Sequence, residues 1–190
     1  MGKLFHESKA FKNLVQPGNE VVENEFENCS FENCDFSDGK MISCKFIDCK
    51  FTNCNLSMVN LNLCVVNNVV FNECKLLGIN FSNCVGLSFA VKFESCLLDY
   101  CSFANKKLAK TIFSDSSLKS TDFTESDLSK SKFLNCDLTN TLFYRSILTE
   151  VDFTSASNYN IDPEANIIKR AKFSLDGVSG LLNKYNIEIV

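Results

Sequence analysis

The sequence predicts an all-β solenoid: a quadrilateral, four-sided parallel β-helix closed by a short C-terminal capping helix. Three observations predict it. From Phe93 to Phe153 every fifth residue is Phe or Leu, in unbroken alternation: Phe93, Leu98, Phe103, Leu108, Phe113, Leu118, Phe123, Leu128, Phe133, Leu138, Phe143, Leu148, Phe153. Two residues before each centre stands a small or modest side chain, such as Cys96, Cys101, Thr111, Ser116, Thr121 and Ser131, with Lys106 the one exception. A period of five is neither the ~3.6 of a helix nor the ~2 of a flat strand, so the chain must turn once per repeat, as in a solenoid. The third observation is the alternation itself, which sets the number of sides. With three sides Phe would stack on Leu; with four, a coil takes twenty residues, so Phe93, Phe113, Phe133, Phe153 and Phe173 fall in one column and Leu98, Leu118 and Leu138 in the next. Successive coils then lie about 4.8 Å apart.

The elements follow in chain order. Residues 1–20 show no five-residue period, hold the single histidine, His6, and end near the turn signal Pro17-Gly18-Asn19; they are expected to be a short cap or tail. The solenoid is expected over residues 21–173. Its first half has apolar centres without strict alternation, among them Phe26, Phe31, Phe36, Met41, Phe46 and Phe51. Asn or Asp often stands two residues after the centre (Asn28, Asn33, Asp38, Asp48, Asn53, Asn68, Asn83), where a backbone that bends once per repeat needs left-handed residues. Phe81 and Phe93 are twelve residues apart instead of ten, so the frame slips by two over residues 82–92, absorbed by a bulge or short loop near Gly86. The repeat dissolves after Phe153, but Ile168, Ala171 and Phe173 return to the frame and imply a last coil. Residues 174–190 differ in kind: Leu175, Val178, Leu181, Leu182 and Tyr185 fall at helical spacing behind the candidate N-cap Ser174, and Ile187 and Ile189 add an apolar end. Gly177 and Gly180 oppose a helix there. This segment is read as a cap on the solenoid end, or as a dimerisation element.

Composition narrows the function. The 190 residues include 18 Phe, no Trp and a net charge of -4; no apolar run is long enough to span a membrane and the N-terminal residues lack a signal-peptide core, so a cytoplasmic protein is expected. All eleven cysteines occupy the small slot, where later coils place Ser or Thr, and so read as small buried side chains. Stacked pairs such as Cys34 over Cys54 are within conceivable disulfide reach, but the odd count and cytoplasmic setting argue against it, and no closed set of four marks zinc. With one histidine and no nucleophile-base arrangement or phosphate loop, neither an enzyme nor a cofactor is expected. Nor does any basic patch with interleaved aromatics mark direct nucleic-acid binding.

Units such as SDLSKSKFLNCDLTN and TDFTESDLSK resemble the pentapeptide-repeat family, over about residues 21–173. The resemblance implies a right-handed β-helix with four sides. The ending FSLDGVSGLLNKYNIEIV is similar to that of the quinolone-resistance (Qnr-like) branch, although no long loop insertions of the kind used for drug protection interrupt the repeat. This second resemblance implies a homodimer joined through the C-terminal segment (Leu175, Val178, Leu181, Leu182, Tyr185, Ile187, Ile189) that imitates duplex DNA and binds DNA gyrase or topoisomerase IV. Mimicry needs acidic faces. Eight acids against three lysines from Glu20 to Asn55 make Glu23, Glu25, Glu27, Glu32, Asp35 and Asp38 the candidate contact. The competing expectation is a protein-interaction scaffold with no topoisomerase target.

Overall fold

The computed structural model describes residues 4–86 and 89–188, which wind into a parallel β-solenoid with a coil of twenty residues. Seven parallel strands stack along one side: Ala10–Lys12, Ser30–Glu32, Lys50–Thr52, Val69–Asn72, Val91–Glu94, Ile112–Ser114 and Lys132–Leu134. The side before it carries Phe5–Glu7, Glu25–Glu27, Lys45–Ile47 and Val65–Asn67. A third side is a ladder of single bridges, Val15 to Asp35 to Asn55 to Lys75 to Leu97 to Ser117 to Asp137 to Ser157. The fourth opens with Glu20–Val22 against Lys40–Ile42 and continues as bridges, including Ser102 to Asp122 to Leu142. Four sides of five residues are what the Phe and Leu alternation requires.

The interior is built of like on like. Phe11, Phe31, Phe51, Phe71, Phe93, Phe113, Phe133, Phe153 and Phe173 form one column, with neighbouring ring centroids 4.4–5.4 Å apart and planes within 16°. On the opposite side Phe81, Phe103, Phe123 and Phe143 stack in the same way. The two columns meet edge to face, as between Phe113 and Phe123 at 5.8 Å and 80°. Parallel rings one coil apart and edge-to-face rings across the axis are both favoured by the aromatic quadrupole. Leu98, Leu118, Leu138, Leu108, Leu128 and Leu148 fill the two remaining sides, fully buried.

The small slot is a hydrogen-bonding position as well as a small one. Its side chain donates to the carbonyl of the centre one coil earlier: Thr121 Oγ1 to Leu98 O (2.9 Å), Ser131 Oγ to Leu108 O (2.7 Å), Ser146 Oγ to Phe123 O (2.9 Å), and Cys54 Sγ to Phe31 O (3.5 Å). Asn166 occupies the slot in the last coil and reaches Phe143 O. Cys, Ser and Thr therefore share both the volume and the donor that tie one coil to the next.

The corner two residues after each centre is left-handed. Asn28, Asn33, Asp38, Asp48, Asn53 and Asn68 have φ of 50–57°, as expected, whereas Asn83 lies instead in a 3₁₀ turn, Phe81–Asn83. Leu63 (φ 59°) sits at the same kind of corner and is 57% exposed. A residue with a Cβ costs about 1–2 kcal/mol in that region, less for Asn. Leu63→Asn is therefore expected to stabilise the protein by about 0.5–1 kcal/mol; an unchanged or lower midpoint of urea unfolding would contradict the corner assignment.

Two expectations need correction. Residues 4–20 are not a cap or tail: Phe5–Glu7 and Ala10–Lys12 pair with Glu25–Glu27 and Ser30–Glu32, which makes them the first coil. Its period is masked because His6 and Gln16 occupy central slots; His6 stacks on Phe26 at 4.9 Å and is only half-buried, and Gln16 is exposed, so neither polar centre bears full burial. The C-terminal segment is not a helix but two 3₁₀ turns, Val178–Leu181 and Asn183–Tyr185. The glycines explain why: a Cβ on Gly180 would lie 2.2 Å from the Tyr159 carbonyl oxygen, and one on Gly177 would lie 2.1 Å from the Tyr159 hydroxyl. The turns press directly against buried Tyr159, and Ile161 N donates to Gly180 O at 3.0 Å.

Lys106, the exception in the small slot, points inward and has partners there. Coil spacing is twenty between Val65 and Val85 but twenty-two between Val69 and Val91, so the two extra residues fall between Val85 and Val91, inside the expected frame slip. Phe89 from this insertion turns inward against Phe81 and Phe103. Lys106 Nζ lies 5.5 Å over the Phe89 ring and donates to the Cys84 carbonyl, although burial lowers its pKa. The insertion thus supplies the aromatic partner, Phe89, and the coil before it supplies the carbonyl.

Candidate interaction surfaces

The repeat turns two residues of each five inward, the centre and the small slot, so contacts with a partner must come from the outward positions and from the ends. An interior void of about 10 Å³, lined by Met41, Leu61, Val66 and their neighbours, has room for no more than a water molecule. Among the described residues no three His, Cys, Asp or Glu are placed to hold a metal ion, and no helix is long and apolar enough to cross a membrane.

The six candidate acids do not form one face; they encircle one coil. Glu25 and Glu27 flank Phe26 on one side, Glu32 follows Phe31 on the next, and Asp35 precedes Phe36 on the third. Asp38 and Glu23 occupy left-handed corners, with φ of 57° each. Several are also engaged. Glu25 pairs with Lys45 one coil later, and Glu32 with Lys12 one coil earlier at 2.6 Å. Asp35 Oδ1 accepts from Ser37 N (2.9 Å) and Ser37 Oγ (2.7 Å), and these bonds lower its pKa. The clustering in sequence becomes a ring in space because five residues advance the chain by one side.

The same turn, in which a carboxylate accepts from the backbone N–H two residues on, recurs along the rod. Asp152 accepts from Thr154, Asp127 from Ser129 and Asp122 from Thr124. At Asp137 burial pushes the pKa up, but hydrogen bonds from Asn158, Thr139 and Lys119 outweigh it and hold the carboxyl down at about 2. Much of the acidic surface is therefore fixed locally by its own turn, as an Asx turn would be.

The C-terminal apolar residues divide. Leu175, Val178, Tyr185 and Ile187 are exposed, Leu182 is half-buried, and Leu181 is turned inward against the core, so they do not line one helical stripe. Ile189 lies outside the described residues. Lys184 holds the segment to the last coil through Asp162 (2.7 Å) and Glu164 (2.6 Å), and Tyr185 donates to Glu164 at 3.1 Å. The sequence reading missed a neighbouring set: Leu142, Tyr144, Ile147 and Ile167 point outward from the last coils. Large apolar residues in outward positions of the repeat are the signal that would have found them. Arg145 stands over Tyr144 at 5.2 Å and reaches Glu125 at 3.5 Å.

Coils of five-residue sides, with an apolar centre and a small donor slot, define a class of protein in which the repeat itself is the fold. Two family models match, one described as a pentapeptide repeat region over residues 24–86 and one as pentapeptide repeats (8 copies) over residues 121–157. The chain belongs to the pentapeptide-repeat family. No curated protein matches it in sequence. Among solved structures, a trypsin-treated form of QnrB1, a plasmid-mediated fluoroquinolone resistance protein, aligns with 98% of this chain over 98% of its own at 17% identity and a TM-score of 0.64. A second trypsin-treated form of QnrB1 aligns with 98% of this chain over 99% of its own at 17% identity, TM-score 0.56. HetL, a pentapeptide repeat protein involved in heterocyst differentiation regulation from the cyanobacterium Nostoc sp. strain PCC 7120, aligns at 13% identity over 92% and 90% of the two chains, TM-score 0.36. At 17% identity the likeness to QnrB1 concerns the fold alone.

Proposed function

We propose that this protein is a non-enzymatic, cytoplasmic interaction protein that acts as a rigid rod, imitating duplex DNA on the DNA-binding surface of DNA gyrase or topoisomerase IV. The observation that carries the reading is the stacked core: an aromatic column running through every coil makes a stiff rod whose polar skin alone can meet a partner, and whose overall fold matches QnrB1 from end to end. The net charge of -4 has the sign that mimicry requires. In this reading the exposed Leu175, Val178, Tyr185 and Ile187, with Ile189 beyond them, join two copies, and outward acids such as Glu23, Glu27 and Asp38 take the place of phosphates.

A specific observation favours a second reading, a scaffold with no topoisomerase target. The acids encircle the rod, and Glu25 and Glu32 are paired with lysines of adjacent coils, which weakens any single negative face. Direct binding separates the two. Purified gyrase is expected to bind the protein at micromolar concentration and to lose supercoiling activity as it does; no binding at that concentration would overturn the mimic and leave the scaffold.

A further inference from the structure

We propose that two copies of this chain associate side by side, with their rod axes antiparallel, through the side that begins with Phe5–Glu7 and Glu25–Glu27. The outward position before each centre climbs this side from Phe5 through Glu25, Lys45 and Val65 to Val85. Beyond the two-residue insertion it continues from Lys107 to Ile167 in steps of twenty. These nine levels lie about 4.8 Å apart, with Val85 at the middle one. An isologous contact is self-complementary: if one residue meets a second across it, the second meets the first. A two-fold axis at Val85, perpendicular to the rods, sets the first level against the ninth, the second against the eighth and the third against the seventh. Each column then lies opposite itself.

That operation brings opposite charges together in four columns. Lys45 meets Asp127 before the centre and Glu7 meets Lys169 after it; at the left-handed corners that bound the side, Asp48 meets Lys130 and Glu23 meets Arg145. Each pair occurs twice by symmetry. Exposed apolar residues also coincide: Phe5 (54% exposed) lies opposite Ile167 (55%), and Val85 (44%) opposite its own copy. Other opposed positions set a charge against a neutral residue, as Glu25 against Ile147, and among the described residues no like charges oppose. The next side fails the same operation about its own midpoint, because Lys50 faces Lys132 and Lys92 faces itself. The third sets Asp35 against Asp137, and the fourth gives one opposite pair, Lys40 with Asp122. Lys45, Lys130 and Arg145 also pair within the chain, with Glu25, Glu150 and Glu125, but exposed pairs of this kind contribute little and leave the cations able to take a second partner. A contact one side wide is small, so the dimer is expected at micromolar concentration and weakens as salt is added.

The left-handed corners already hold Lys110 and Lys130 as well as Glu23, Glu125 and Glu150, so charge reversal at a corner should fold. The full chain is followed at low ionic strength by sedimentation velocity and small-angle scattering. The unaltered protein is expected to dimerise into a particle with a thickened cross-section. Asp48→Lys and Lys130→Glu should each weaken the dimer about tenfold, since each turns two attractions into repulsions. The combined Asp48→Lys/Lys130→Glu variant should recover it. A monomer throughout, single reversals without effect, or no recovery in the combined variant overturns the contact. A joint through the C-terminal segment uses a different surface and lengthens the particle; one that lengthens without thickening also overturns the side-by-side contact. None of these readouts involves gyrase, so the mimicry proposed above stands or falls separately.

Discussion

Phe123→Ala is expected to cost about 3–5 kcal/mol of folding stability. The Phe123 side chain is fully buried, stacked between Phe103 at 5.3 Å and Phe143 at 5.4 Å and set edge-on to Phe113 and Phe133 at 5.8 Å each. Truncation removes one ring from a continuous column, and the coils above and below cannot close the gap because each is held to the next by its own backbone ladder. Leu142 N to Thr121 O at 2.9 Å and Phe123 N to Leu142 O at 2.9 Å fix the spacing on that side. The cost therefore includes the cavity as well as the lost transfer energy. Urea unfolding followed by circular dichroism measures it, and a loss below about 1 kcal/mol would place the ring outside the core.

Gly180→Ala is the second large effect, with an expected loss of about 1–3 kcal/mol from overpacking. The new methyl would lie 2.2 Å from the Tyr159 carbonyl oxygen and 2.9 Å from its ring, and the first of these is backbone that cannot swing aside. The 3₁₀ segment must then lift, breaking the Ile161 N to Gly180 O bond and loosening the Lys184 contacts with Asp162 and Glu164. Hydrogen exchange should rise at Ile161 and over residues 178–185, while the amides of the Phe93 to Phe143 coils keep their protection. Unchanged exchange at Ile161 would mean that the close packing against Tyr159 is not required.

These two positions also mark what could and could not be seen in the chain. Phe123 was legible as core because the five-residue period leaves a single consistent inward position, and the like-on-like columns followed from alternation alone. The first coil was not legible, since His6 and Gln16, half-buried and exposed in their central slots, break the apolar pattern. Gly180 was read as a helix breaker, which was half the reason; the other half, close approach to Tyr159, is a contact across twenty-one residues that local pattern does not encode. Lys106 was a local anomaly whose explanation lay in the insertion near Phe89, seventeen residues earlier in the chain. The six acids show the limit most clearly. A run of charges suggests a patch only when successive residues share a side, and here each unit of five carries them to the next.

The proposed mimicry requires the rod to occupy the place of duplex DNA on the enzyme. The most direct test is competition: gyrase bound to the labelled protein is challenged with increasing linear duplex DNA at fixed ionic strength. The account predicts that DNA displaces the protein and that apparent affinity falls in proportion as DNA is added. Binding that persists unchanged at saturating DNA would contradict it.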